Sequence, residues 1–195
     1  MKLLFLCILA SLNLTAFAQL KPIYFRGNDL ISDSTKATSY GVYGKLSGEN
    51  LYALKIFDLY DNLTTTGTYK DEELKVPHGN FVYYGDVNLY NSVNGTSFML
   101  KGKNRYVTGK GSFIDGKQSG RWMTFFPDGK VMNVTTYVNG VKHGFYGLYD
   151  RKGKTIVSGS YYVGEKDGVW LYKDGKTKET YVKGVKQVET KNKRN

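Results

Sequence analysis

Few side chains in this 195-residue chain could do chemistry, and their spacing decides whether any do. His78 and His143 each stand directly before a glycine, in "VPHGN" and "VKHGF". An imidazole can serve as a general base or a metal ligand, but a transition-metal site needs several N or S ligands at short recurring spacings. No such cluster occurs in the sequence. Asp71, Glu72 and Glu73 form the one dense acidic run. Glycoside hydrolysis needs two carboxylates facing one cleft, about 5–10 Å apart. Consecutive acids in a hairpin extension read instead as a solvated turn. Asp115, Asp128, Asp150, Asp167 and Asp174 lie beside glycines or in glycine-closed loops, where aspartate forms turns. No nucleophile elbow, phosphate loop or dinucleotide fingerprint is present. "GKGSF" is glycine-rich, but it precedes a strand, whereas a phosphate cradle opens a helix. The sequence predicts no catalytic residue, no metal site, no cofactor and no enzymatic activity.

The elements that hold these residues are repetitive. "FIDGKQSGRW", "YVNGVKHGFY" and "YYVGEKDGVW" align on Gly116, Gly140 and Gly164, 24 residues apart. Phe113, Tyr137 and Tyr161 precede those glycines, and Gly120, Gly144 and Gly168 follow them. Trp122, Tyr146 and Trp170 come two residues later. A second turn closes each unit at Gly129, Gly153 and Gly175, and a partial unit follows at Tyr181 and Gly184. Asn/Asp-Gly pairs reach positive φ cheaply, as tight hairpins require. The intervening runs "RWMTFF", "FYGLY" and "VWLY" are aromatic and β-rich. Each unit therefore reads as two antiparallel strands and two turns. His143 occupies the register position of Ser119 and Asp167, which makes it a solvated turn residue.

An even period returns equivalent side chains to one sheet face. Trp122, Tyr146 and Trp170 are expected to stack as a ladder, with Phe125 and Tyr149 beside them, and these five are the candidate binding residues. Lys117, Lys142 and Lys166 recur near the first turn, and Lys130, Lys154 and Lys176 after the second. They are expected to line the two long edges of the sheet. The first half carries a weaker version of the pattern. It has a turn near Asp61-Asn62, "GTY" at 67–69, a hairpin expected around Asn94-Gly95, and "SYGVYGKL" as a first strand. No segment of a dozen residues after Ala18 shows helical periodicity.

The chain opens "MKLLFLCILASLNLTAFAQL". Lys2, the apolar run from Leu3 to Leu12 and Ala16-Phe17-Ala18 have the pattern of a secretory signal peptide cleaved before Gln19. The remainder holds no cysteine, so it has no disulfide framework and no thiol nucleophile. Charge is uneven: residues 19–100 hold 7 Lys/Arg and 9 Asp/Glu, and residues 101–195 hold 20 and 8. Basic residues among aromatics can bind single-stranded nucleic acid, but export argues against that partner and leaves anionic lipid or an envelope polymer.

The stretches "GKQSGRWMTFFPDGK", "GVKHGFYGLYDRKGK" and "GEKDGVWLYKDGK" resemble the bacterial variant of MORN repeats. The resemblance covers residues 111–184 well and 53–84 loosely. It implies an all-β fold: an elongated, twisted, single-layer antiparallel sheet of β-hairpin repeats, used as a scaffold, lipid-associated platform or partner-binding surface. Bacterial proteins of this kind are commonly labelled antitoxins. The expected organisation is a signal peptide at 1–18, an irregular lead-in at 19–38 and degenerate hairpins at 39–110. Regular repeats follow at 111–184 and a basic tail at 185–195. The expected function is an exported scaffold with a protein partner, in the periplasm, on the envelope or secreted.

Overall fold

Paired positive-φ residues build one long side of the molecule. Asp115-Gly116, Asn139-Gly140, Val163-Gly164 and Lys183-Gly184 all have positive φ at both positions. That is the type I′ geometry whose twist matches flanking strands. The computed structural model describes residues 21–27 and 29–188, which form one 14-stranded antiparallel sheet. Its second half comprises β7 (Arg105–Ile114), β8 (Lys117–Phe125), β9 (Val131–Val138), β10 (Val141–Tyr149), β11 (Thr155–Tyr162), β12 (Glu165–Tyr172), β13 (Thr177–Val182) and β14 (Val185–Gln187). Its first half comprises β1 (Lys21–Arg26), β2 (Asp29–Ile31), β3 (Ser39–Lys45), β4 (Tyr52–Asp58), β5 (Leu63–Tyr69) and β6 (Gly79–Asp86). From β3 to β14 the strands lie side by side in chain order, and β1 inserts between β3 and β2.

The opposite long side is built from wider turns. Phe126 N–H donates to the Lys130 carbonyl while Gly129 N–H donates to the Phe126 carbonyl, both at 2.9 Å. Asp150, Gly153 and Lys154 repeat that arrangement, and the Asp150 carboxylate also accepts from the Lys152 and Lys154 amides. Aspartate is present because its side chain occupies backbone donors that a tight loop leaves free.

The second glycine of each unit does something else. Sequence places Gly120, Gly144 and Gly168 in turns, but they lie inside β8, β10 and β12. Lys110 pairs with Met123 and Ser112 with Ser119, so residues 120–122 face Gly111 alone. Residues 168–170 face Gly159 in the same way, and 143–145 face Thr136. These are β-bulges, and the glycines take φ of 68°, 92° and 70° within them. His143 is consequently a strand residue at a bulge, half-buried, with its ring 5.1 Å from that of Tyr162.

Three other expectations are corrected. Residues 87–94 form a helix, α1 (Val87–Asn94), where a hairpin was expected around Asn94-Gly95. The Asp86 carboxylate caps its start at the Leu89 amide, and Gly95, at φ 59°, ends it. Asn-Gly serves equally as a hairpin turn or a helix terminus, so the dipeptide alone does not choose. Residues 21–31, within the expected irregular lead-in, hold β1 and β2, and Phe25 of β1 is buried. Val185–Gln187, within the expected tail, is β14, paired with β13. The expected signal peptide lies outside the described residues.

Candidate functional site

Paired residues on neighbouring antiparallel strands point to the same side of a sheet, so the register sorts side chains onto two faces. One face, the ring face, carries Phe25, Leu54, Phe81, Trp122, Tyr146, Tyr161, Trp170 and Tyr181. Phe25, Leu54, Phe81 and Trp170 supply most of the buried apolar side chains, so the core of this thin molecule is a line along one face.

Flat glycines seat the rings. A Cβ on Gly111 or Gly159 would come closer than 3.0 Å to the indole of Trp122 or Trp170, and one on Gly67 would meet Phe81 in the same way. Trp122 Nε1–H donates to the Ser112 carbonyl and Trp170 Nε1–H to the Ser160 carbonyl, each at 3.1 Å. In the hairpin between them, Thr135 stands where Gly111 and Gly159 stand, and the seat is lost.

The expected ladder is therefore broken into two clusters. Phe113 meets Phe81 and Trp122 edge-on at 4.8 and 4.9 Å, with Tyr83 6.3 Å from Trp122. Tyr146 stacks on Trp170 at 5.5 Å, and Tyr161 and Tyr181 approach Trp170 at 5.0 and 6.3 Å. Among the described residues no ring contact joins Trp122 to Tyr146. A groove of about 380 Å³ lies in the gap, lined on the ring face by Tyr83, Gln118, Trp122, Asn133, Thr135 and Tyr137. Burial raises the pKa of the Tyr83 and Tyr137 phenols.

Phe125 and Tyr149 do not belong with these rings. An odd step along a strand reverses the face, and both follow a register shift at their strand's end. Lys110, paired with Met123 on the opposite face, places its ammonium 5.6 Å from the Phe125 ring, and the Tyr149 hydroxyl lies over Gly147. The five candidate aromatics are divided three and two between the faces.

The lysines divide too. Lys166 Nζ lies 4.4 Å from the Trp170 ring centroid, 4.9 Å from Tyr181 and 2.9 Å from the Tyr172 hydroxyl. Lys142 Nζ lies 5.1 Å from the Tyr161 ring. Both cap rings by cation–π contact. Lys117 is one position out of register with them, where Gln118 is the equivalent residue, and so points to the opposite face. Lys130, Lys154 and Lys176 directly precede β9, β11 and β13 on one long side and are exposed. Lys130 there pairs with Asp128 at 3.3 Å and donates to the Arg151 carbonyl.

Sequence reasoning missed the apolar margin of the opposite face. Ile114, Val138, Tyr162 and Val182 hold the same place before four successive type I′ turns, and Val138 and Val182 pair with Val141 and Val185. All six are open to solvent. The signal was legible: an apolar residue precedes each positive-φ pair, where a solvated tip would carry polar ones.

The remaining chemistry-bearing groups act locally. The Asp71 carboxylate accepts from the Lys75 and Val76 amides and closes its own loop. Asp115 pairs with Lys70 and, at 3.2 Å, with His78 Nδ1, tying the β7–β8 turn to the β5–β6 connection. The Lys70 hydrogen bond is the main cause that holds the Asp115 carboxyl below its ordinary value. Among the described residues no group of three or more His, Cys, Asp or Glu could hold a metal ion. Comparison with models of protein families and with curated proteins found no match.

Proposed function

We propose that this chain is a non-enzymatic MORN-like repeat protein of the cell envelope that offers the opposite face's apolar margin to a protein partner. The 24-residue hairpin unit is its building block: β8, β10 and β12 begin at residues 117, 141 and 165, and both tryptophans sit on equivalent glycines and carbonyls. The observation that carries the reading is the row Ile114, Val138, Tyr162 and Val182, with Val141 and Val185 beside it. Grouped open apolar side chains mark association sites; successive hairpins space the row at about 10 Å intervals, with Lys117 opposite Ile114 and Glu165 opposite Tyr162 as charged neighbours within it. The signal-peptide pattern in the sequence of residues 1–18 supports export.

The test is retention from an envelope extract on the immobilised chain. A defined protein held at about 0.5 M salt, where exposed charges are largely screened, and lost on Val138→Ser with Val182→Ser, is the expected outcome. Retention unchanged by that double substitution would remove the margin from the reading. A second reading rests on Lys130, Lys154 and Lys176 along the other long side, which suit anionic lipid or polymer. Binding to vesicles of anionic phospholipid that falls steeply with salt would favour it.

A further inference from the structure

The groove between the two ring clusters combines open ring surface with a lining that carries no charge. Lys142 and Lys166 hold one register position in β10 and β12 and cover the rings there, leaving Trp170 1 % exposed. At the same position β8 carries Gln118. Among the described residues no ammonium covers Trp122, which remains partly open beside Tyr83 and Tyr137. The groove lining contains no Lys, Arg, Asp or Glu.

From this arrangement we infer that the groove binds a neutral sugar unit, as a free oligosaccharide or part of a glycan chain. Aromatic ring faces take up the C–H face of a sugar, and neutral amides and hydroxyls satisfy its equatorial oxygens. Both kinds of group are present. Among the described residues the Gln118 amide and the Tyr83 and Tyr137 hydroxyls make no hydrogen bond within the protein, whereas Asn133 and Thr135 bond each other and Asn133 holds the Gly147 carbonyl. The first three are the free recognition groups, and the last two fix the floor. An anionic ligand would find no counter-charge here, and a nucleotide would bring phosphates into a neutral site. The volume of about 380 Å³ suits one unit of a chain running on into solvent.

Trp122 reports occupancy directly, since the other tryptophan, Trp170, is buried. The full chain is titrated, at about 0.5 M salt to screen exposed charge, with hexamers of β-1,4-glucose, α-1,4-glucose and β-1,4-N-acetylglucosamine, and with hexaproline. The expected result is a saturable change in tryptophan emission with at least one sugar and none with hexaproline. Gln118→Lys, which restores the covering ammonium of the neighbouring hairpins, and Tyr137→Ala should each weaken it about tenfold or more. The circular dichroism of both variants, compared with the parent, separates lost binding from lost fold. No response to any of the three sugars, a response only to hexaproline, or a sugar response unchanged in folded Gln118→Lys would overturn the inference. None of these substitutions touches Val138 or Val182, so this result stands or falls apart from that of the proposed partner surface.

Discussion

At the scale of the residue, absence of a side chain does as much as its presence. Trp170 is buried in a single-layer sheet because Gly159 leaves room for the indole to lie flat and Lys166, Tyr146 and Tyr161 pack against it. Gly159→Ala is expected to lift the ring and cost a few kcal/mol, comparable to truncating a large core side chain at about 3–5 kcal/mol. A red shift of tryptophan emission together with a lowered urea midpoint would check it. "GSF" at 111–113 and "GSY" at 159–161 are 48 residues apart in the sequence, but nothing local says which ring sits on which glycine, because the two are brought together only by strand register. Asp115 offers a second residue-scale prediction. Its carboxyl is held below the ordinary 3.8 chiefly by Lys70, with His78 adding to it. A depressed acid contributes stability that is complete above 3.8 and lost as pH falls through the lower folded value. A carboxyl carbon NMR titration should give a midpoint below 3.8 that moves up toward it in Lys70→Met.

At the scale of the element, the turns carry the strain. Val163 sits at φ 48° in its type I′ turn, where Asp115 and Asn139 occupy the equivalent places. A β-branched residue in the left-handed region costs roughly 1–3 kcal/mol, and Val163 is exposed, so little burial is lost by replacing it. Val163→Asn should gain about 1 kcal/mol and raise Tm by about 2–4 °C. Turn positions were the most legible part of the fold, since Asn/Asp-Gly pairs advertise positive φ. The bulges were not, because a glycine needed inside a strand and one needed at a turn look alike until pairing is known. α1 was missed for a related reason: at eight residues it is too short to show periodicity, and its signals were only the Asp86 cap and the Gly95 stop. The candidate aromatics were found by type but misplaced by face, since the step from Trp122 to Phe125 or from Tyr146 to Tyr149 is odd.

At the scale of the whole molecule, strands β3 to β14 touch neighbours in chain order, so stability is close to a sum of hairpins and their junctions. Leu54→Ala, at the β4 core position, should cost about 2–5 kcal/mol locally. Its effect should be seen in circular dichroism of the early-melting fraction, while the tryptophan emission midpoint, reported from β8 and β12, stays in place. Coincident shifts by both probes would mean the sheet melts as one unit. The way the sheet ends has a consequence of its own. Among the described residues its outermost strands, β2 and β14, are three residues each, against eight to ten for β7 through β12. A margin that short exposes few free backbone donors and acceptors, and so is a poor template for another chain to add to. An open sheet of identical repeats could otherwise polymerise into a fibril. Tapering of the described sheet thus limits its growth by addition of a second chain.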